Sequence, residues 1–119
     1  SGGTPKDGPS AGTAITVSII SLLINEKISN DIAITGEIDL EGNVLEIGGL
    51  SSKLQGAKSA GVKHVLCPTK NIYDIDKIKK NDPELIDDQF KVTTISNITE
   101  AIKYSIIFSN NSYDSYFNQ

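Results

Sequence analysis

The 119-residue chain predicts an α+β domain of mixed α/β layers. Three observations carry that prediction. Segments whose apolar residues recur at helical spacing alternate with short β-type runs. Gly, Pro, Asn and Asp mark the boundaries between these segments. A content of 38% hydrophobic and 22% charged residues suits one modest core in a soluble globular domain. In such a layered domain the chemistry sits at connections rather than in the core.

From Ala11 to Leu23, Ile15, Ile19, Leu22 and Leu23 recur at helical spacing, and Asp7-Gly8-Pro9 supplies a cap and a proline near the first turn. A helix with Ser10 at its beginning follows. Residues 31–40 read as β-structure, Glu41-Gly42-Asn43 as a turn and Val44 to Ile47 as the returning strand of a hairpin. Leu50 to Ser59 suits a short helix ended by Ala60-Gly61, with Lys53 in its first turn. Lys63 to Cys67 makes a strand stopped by Pro68. The charged stretch 71–88 predicts a short helix and then a loop, with Ile72, Ile75 and Ile78 at roughly helical spacing, Pro83 as breaker and the charges on a solvated face. Lys91 to Ile95 is a last strand. Ser96 or Asn97 caps a helix through about Phe108, and residues 109–119 form a polar tail.

The totals exclude several functions. A net charge of −4 argues against a domain that grips nucleic acid through its phosphates. No run approaches the roughly 18 apolar residues of a membrane span, and the start SGGTPKDGPSAG lacks a signal-peptide pattern. One cysteine forms no internal disulfide, and His64 with Cys67 is no zinc ligand set. These two residues lie three apart on a strand, so their side chains point to opposite faces and form no Cys–His dyad. Cys67 reads as a small buried residue and His64 as a surface strand residue. The two formal Asn-X-Ser/Thr triplets come without a secretory signal and are discounted. Gly48-Gly49 is too little for a nucleotide's phosphate cradle.

PKDGPSAG delivers a Ser hydroxyl to a helix N-terminus, where unpaired backbone N–H groups and the helix dipole favour developing negative charge. Taken alone, Ser10 is also simply a residue that starts a helix. Likewise, a lysine outside any motif is ordinarily a solvated surface group.

Three ordered blocks change that balance: TPKDGPSAG, AITGEIDLEGNVLEIGGLSSK and AKSAGVKHVLCP. Together they resemble the proteolytic domain of Lon proteases over nearly the whole chain. The resemblance implies the family's fold, which is like domain 2 of ribosomal protein S5, over residues 1–108, with a preceding segment of the domain expected to be missing. It implies an ATP-dependent serine endopeptidase that degrades unfolded or damaged proteins through a Ser-Lys dyad. Ser10 matches the nucleophile and Lys53 its base. Thr35 of the TGE block and Asp7 match supporting residues, although Thr35 is also a strand residue meeting a turn and Asp7 an ordinary N-cap or Asx-turn residue. A Ser hydroxyl needs a base to take its proton as it attacks, and lysine serves only when neutral. With an ordinary pKa of about 10.4, a general-base lysine has to be brought towards roughly 7 to 8 by desolvation or nearby positive potential. Ile47, Gly48, Gly49, Leu50 and Leu54 provide apolar surroundings for Lys53.

Two departures remove no catalytic group: Ser51-Ser52 precede Lys53 where many Lon sequences carry a charged pair, and Glu46 stands where proline is common. No G-x-x-x-x-G-K-[ST] loop occurs. The expectation is therefore no cofactor in this chain, with ATP and Mg in an AAA+ part of the parent. The implied partners are unfolded polypeptides and a homo-hexamer, with no membrane and no nucleic acid. Eighteen Ile against eight Leu suggests an AT-rich genome, and the expected compartment is the mitochondrial matrix, with the bacterial cytoplasm as the alternative. Lon-like modules of assembly or DNA repair, without a working dyad, are the competing class; they typically lack the serine, which this chain keeps.

Overall fold

In the computed structural model, residues 11–109 and 112–117 are described. A parallel sheet of three strands organises them: β2 (Ile32–Ile34), β5 (His64–Pro68) and β6 (Lys91–Ile95), in the order β2-β5-β6. Helices α2 (Leu50–Ser59) and α3 (Ile72–Asn81) connect these strands in turn. Two further helices, α1 (Gly12–Ile24) and α4 (Ile98–Ser105), cover the opposite face.

The alternation of side chains along β5 divides the core between these faces. Val65 and Cys67 join Leu50, Leu54, Ile75, Ile78, Leu85 and Phe90 under α2 and α3. Leu66 joins Val17, Ile95, Ala101, Ile102 and Ile106 under α1 and α4. The α+β layering expected from the sequence is thus observed. No helix among the described residues is long and apolar enough to cross a membrane.

Several elements match their sequence-based bounds: α2 and β6 do so residue for residue, and α1 within one position. The inward side of α1 differs from expectation. Ile15, Ile19, Leu22 and Leu23, whose spacing predicted the helix, are exposed, while Thr13 and Val17 are buried and Ile20 and Ile24 pack against the core. This helix is apolar on nearly every side, so periodicity marks a helix without marking which stripe turns inward.

Residues 31–40 are not one strand. Gly36, at φ +139°, breaks the run. Before the break β2 pairs with β5; after it β3 (Glu37–Ile38) pairs antiparallel with β4 (Val44–Leu45). The hairpin turn is held by Asp39, whose carboxylate accepts from the backbone N–H of Glu41 and of Asn43 and from the Asn43 amide. Those bonds keep the Asp39 carboxyl below the usual range.

The last predicted helix ends early. Asn97 caps α4 by accepting from the Glu100 N–H, and Glu100 reaches back to the Ser96 N–H, a reciprocal N-terminal box. At its other end the chain leaves the helix after Ser105, because Ile106–Ile107 (β7) pair antiparallel with Lys27–Ile28 (β1). Beyond it, Ser112–Phe117 forms a further short helix, α5, within the stretch expected to be a polar tail. Tyr113 and Phe117 stack around Phe108, and Glu26 accepts hydrogen bonds from Ser109 and Ser112.

Candidate active site

Parallel strands leave their carboxyl ends on one edge of the sheet, where α/β proteins commonly hold their ligands. Here that edge comprises Thr35-Gly36 after β2, Thr69–Asn71 after β5 and Ser96-Asn97 after β6. Cross-links fix it. The Thr35 N–H donates to the Leu66 carbonyl at 2.9 Å, Ser96 Oγ donates to Thr69 Oγ1 at 2.9 Å, and the Val44 N–H donates to the Ser96 carbonyl at 2.9 Å.

Two helices begin at this edge, one on each face of the sheet. The first turn of α1 is tied to it by the Thr13 N–H, which donates to the Gly36 carbonyl at 2.9 Å, and by Thr13 Oγ1, which donates to Glu37. A Cβ at Gly12 would stand 3.3 Å from the Ile38 backbone nitrogen. The small residues after Ser10 therefore let this helix start press against β3. The start of α2 is tied to the edge through Ile47, whose backbone N–H and carbonyl both pair with the Asn71 side chain.

Lys53 lies in the first turn of α2, as the sequence predicted; it is half-buried, and its backbone N–H donates to the Gly49 carbonyl at 3.1 Å. Leu50 and Leu54 beside it are buried and anchor the helix. Gly49 sits in the left-handed region at φ 68°, which a side chain would strain.

Thr35 closes the end of β2, and its Oγ1 is shielded from solvent with no hydrogen-bond partner among the described residues. Burying an unpaired hydroxyl is unfavourable by about 1–3 kcal/mol. Thr35→Val replaces it with a methyl of similar size. Its unfolding free energy in urea is expected to equal or exceed wild type by up to about 1 kcal/mol. A loss of stability would show that the hydroxyl has a partner in the folded chain. Ser10 and Asp7 lie outside the described residues. The structure thus brings Thr35 and the starts of the helices that follow Ser10 and carry Lys53 to one edge.

His64 and Cys67 stay apart, as expected. Cys67 is buried against α2 and α3, and burial pushes its thiol up to about 12, so it supplies no thiolate at neutral pH. His64 faces the other side. It is half-buried rather than a plain surface residue, with Nε2 2.6 Å from Thr93 Oγ1 and its ring edge-on to Tyr104. Burial, then the charge of Lys91, holds it below the usual histidine range.

A cavity of about 640 Å³ opens on the opposite edge of the sheet, where β5 and β6 begin. Lys58 crosses it, donating to the Glu84 and Leu85 carbonyls and to Asp87. These bonds hold the loop before β6 and are remote from Thr35 and the start of α2. Volume alone does not make this cavity the site.

Sequence reasoning missed Asn71. It lay in a stretch read as a solvated face, yet it is fully buried with both ends of its amide engaged. The available signal was Asn at a helix start directly after a strand, which reads as an ordinary cap.

Comparison with known proteins gives a consistent answer. Residues 1–108 match the family described as Lon protease (S16) C-terminal proteolytic domain. The chain is 46% identical over 110 residues to a Lon protease of Mycoplasma mycoides, covering 92% of this chain and 13% of that protein. It is 43% identical over 100 residues to Lon protease 2 of Sorangium cellulosum, covering 84% and 12%. With a Lon protease of Rickettsia felis it shares 42% over 106 residues, covering 89% and 13%. It thus spans roughly an eighth of the length of these bacterial relatives.

Proposed function

The chain belongs to the Lon protease (S16) C-terminal proteolytic domain family, and from that premise we propose that it is the peptidase portion of an ATP-dependent serine endopeptidase using a Ser10–Lys53 dyad. One observation carries the reading. The helix that follows Ser10 and the helix that bears Lys53 start at the same strand edge from opposite faces of the sheet, with the buried Thr35 hydroxyl at that edge.

The chemistry follows from these roles. Neutral Lys53 Nζ takes the Ser10 hydroxyl proton as Oγ bonds to the carbonyl carbon of a peptide. The resulting oxyanion draws stabilisation from backbone N–H groups at a helix start. When the C–N bond breaks, the leaving amine takes the proton from the Lys53 ammonium. Water then cleaves the acyl ester, with Lys53 again as base. Thr35 Oγ1, without a partner in the resting chain among the described residues, takes the lysine amine only once Lys53 is neutral and peptide is bound, holding it in line for the transfer, and Asp7 supports the Ser10 loop.

Substrates are unfolded polypeptides, and the parent is a homo-hexamer that encloses its dyads. The sequence carries no G-x-x-x-x-G-K-[ST] loop, and Gly48-Gly49 leads into Leu50 with no phosphate-loop lysine. We place ATP and Mg in an AAA+ part of the parent, and no step of cleavage runs through them. The named relatives are bacterial, which favours the bacterial cytoplasm; the mitochondrial matrix finds no support among them.

A fluorophosphonate probe tests the nucleophile directly. In the full-length parent it is expected to label Ser10, and a Ser10→Ala variant is expected to lose both label and casein digestion while hydrolysing ATP normally. Digestion at the wild-type rate by that variant would remove Ser10 from the mechanism and place the cutting group elsewhere in the parent.

A further inference from the structure

We propose that Asn71, oriented by Asp74, is a positioning residue of the peptidase site that sets where the first turn of α2 presents Lys53; the inference rests on the Lys53 reading above.

Asn71 is completely buried just after β5 and immediately before α3. Asparagine at a helix start usually accepts from a backbone N–H of the first turn. This one makes no such cap bond. Its Oδ1 instead accepts from the Ile47 N–H at 3.0 Å, and its Nδ2 donates to the Ile47 carbonyl at 2.9 Å. The same Nδ2 donates to Asp74 Oδ2 at 2.7 Å. A carboxylate only accepts, so Asp74 allows a single orientation of the amide, the one that matches both the backbone N–H and the backbone carbonyl of Ile47.

Ile47 is the last buried residue before α2, separated from it by Gly48-Gly49. Both glycines are exposed, and a Cβ at Gly48 would touch nothing, so no side chain there fixes the helix against the sheet. Leu50 and Leu54 hold α2 down, but apolar packing is non-directional and tolerates a slide. Hydrogen bonds to Ile47 are directional and fix where the chain enters the glycine pair. Lys53 lies one helical turn beyond it. A shift of about 1 Å in a reacting group can lower a rate about 100-fold.

The test uses the full-length parent with ATP and a short fluorogenic peptide, and compares Asn71→Asp, Asp74→Ala, Asp74→Asn and Lys53→Ala. Asn71→Asp keeps shape but loses both donors; Asp74→Ala removes the orienting acceptor; Asp74→Asn restores an acceptor oxygen. The expected result is a fall in kcat of at least tenfold for Asn71→Asp and Asp74→Ala, with KM within twofold and with assembly and ATP hydrolysis unchanged. Asp74→Asn should recover to within about threefold of wild type. That pattern marks loss of an interaction made in the transition state. If Asn71→Asp does not assemble, the two Asp74 variants decide. Unchanged kcat in assembled variants, or a joint fall of kcat, ATP hydrolysis and melting temperature, overturns the inference. Should Lys53→Ala remain active, the dyad itself fails and this inference with it. If Lys53→Ala is inactive while the clamp variants keep their kcat, only the role of Asn71 is refuted.

Discussion

Lys53→Ala in the full-length parent is expected to lower peptide cleavage about 10³-fold or more while leaving assembly and ATP hydrolysis at wild-type levels. A serine hydroxyl at neutral pH is a weak nucleophile, and general-base catalysis contributes roughly 10² to 10⁴. Alanine removes the proposed proton acceptor while α2 stays anchored by the buried Leu50 and Leu54. Dyad members act as one unit, so the Ser10→Ala/Lys53→Ala double variant should be no slower than the worse single variant. Initial rates on a short peptide, with ATP turnover monitored in parallel, make the measurement. Losses that multiply in the double variant would mean that the two residues act in separate steps, and a Lys53→Ala rate within about threefold of wild type would reject lysine as the base.

Gly36→Ala should give the largest loss of stability among single-atom-scale changes at this edge, about 3 kcal/mol or more. Two penalties coincide. At φ +139° a side chain is strained in its own backbone. Its Cβ would also lie 2.7 Å from Val44 Cγ1 and 3.3 Å from both Pro68 Cγ and Thr13 Oγ1. Val44 and Thr13 are buried and cannot swing aside, so β3 and the first turn of α1 must move together. Urea unfolding of the chain would show a lower midpoint at unchanged slope. A change under about 0.5 kcal/mol would mean that the junction relaxes freely and that its geometry is not enforced by packing.

These expectations show where sequence reading succeeds and where it stops. The α2 helix and β6 were legible because local signals agree: Gly49 opens α2 and Ala60-Gly61 ends it, while Val92 and Thr93-Thr94 favour an extended chain. The break at Gly36 was not, since a glycine within an apolar run does not say that the chain changes sheets there. Strands β1 and β7 have two residues each and exist only because distant segments meet. The inward stripe of α1 was illegible because composition offers no contrast between its sides. For the site, Ser10, Lys53 and Thr35 came from ordered motif blocks. The bonds of Asn71 to Ile47, 24 residues away, leave no mark in local sequence.

The placement of α1 and α2 on opposite faces of one sheet has a biological consequence. Neither helix alone, nor either with the sheet, assembles the proposed dyad; both faces must be packed before hydroxyl and amine can meet. On the proposed reading, a copy with either face unpacked lacks the assembled dyad, and the architecture works as an interlock that makes peptide cleavage conditional on folding.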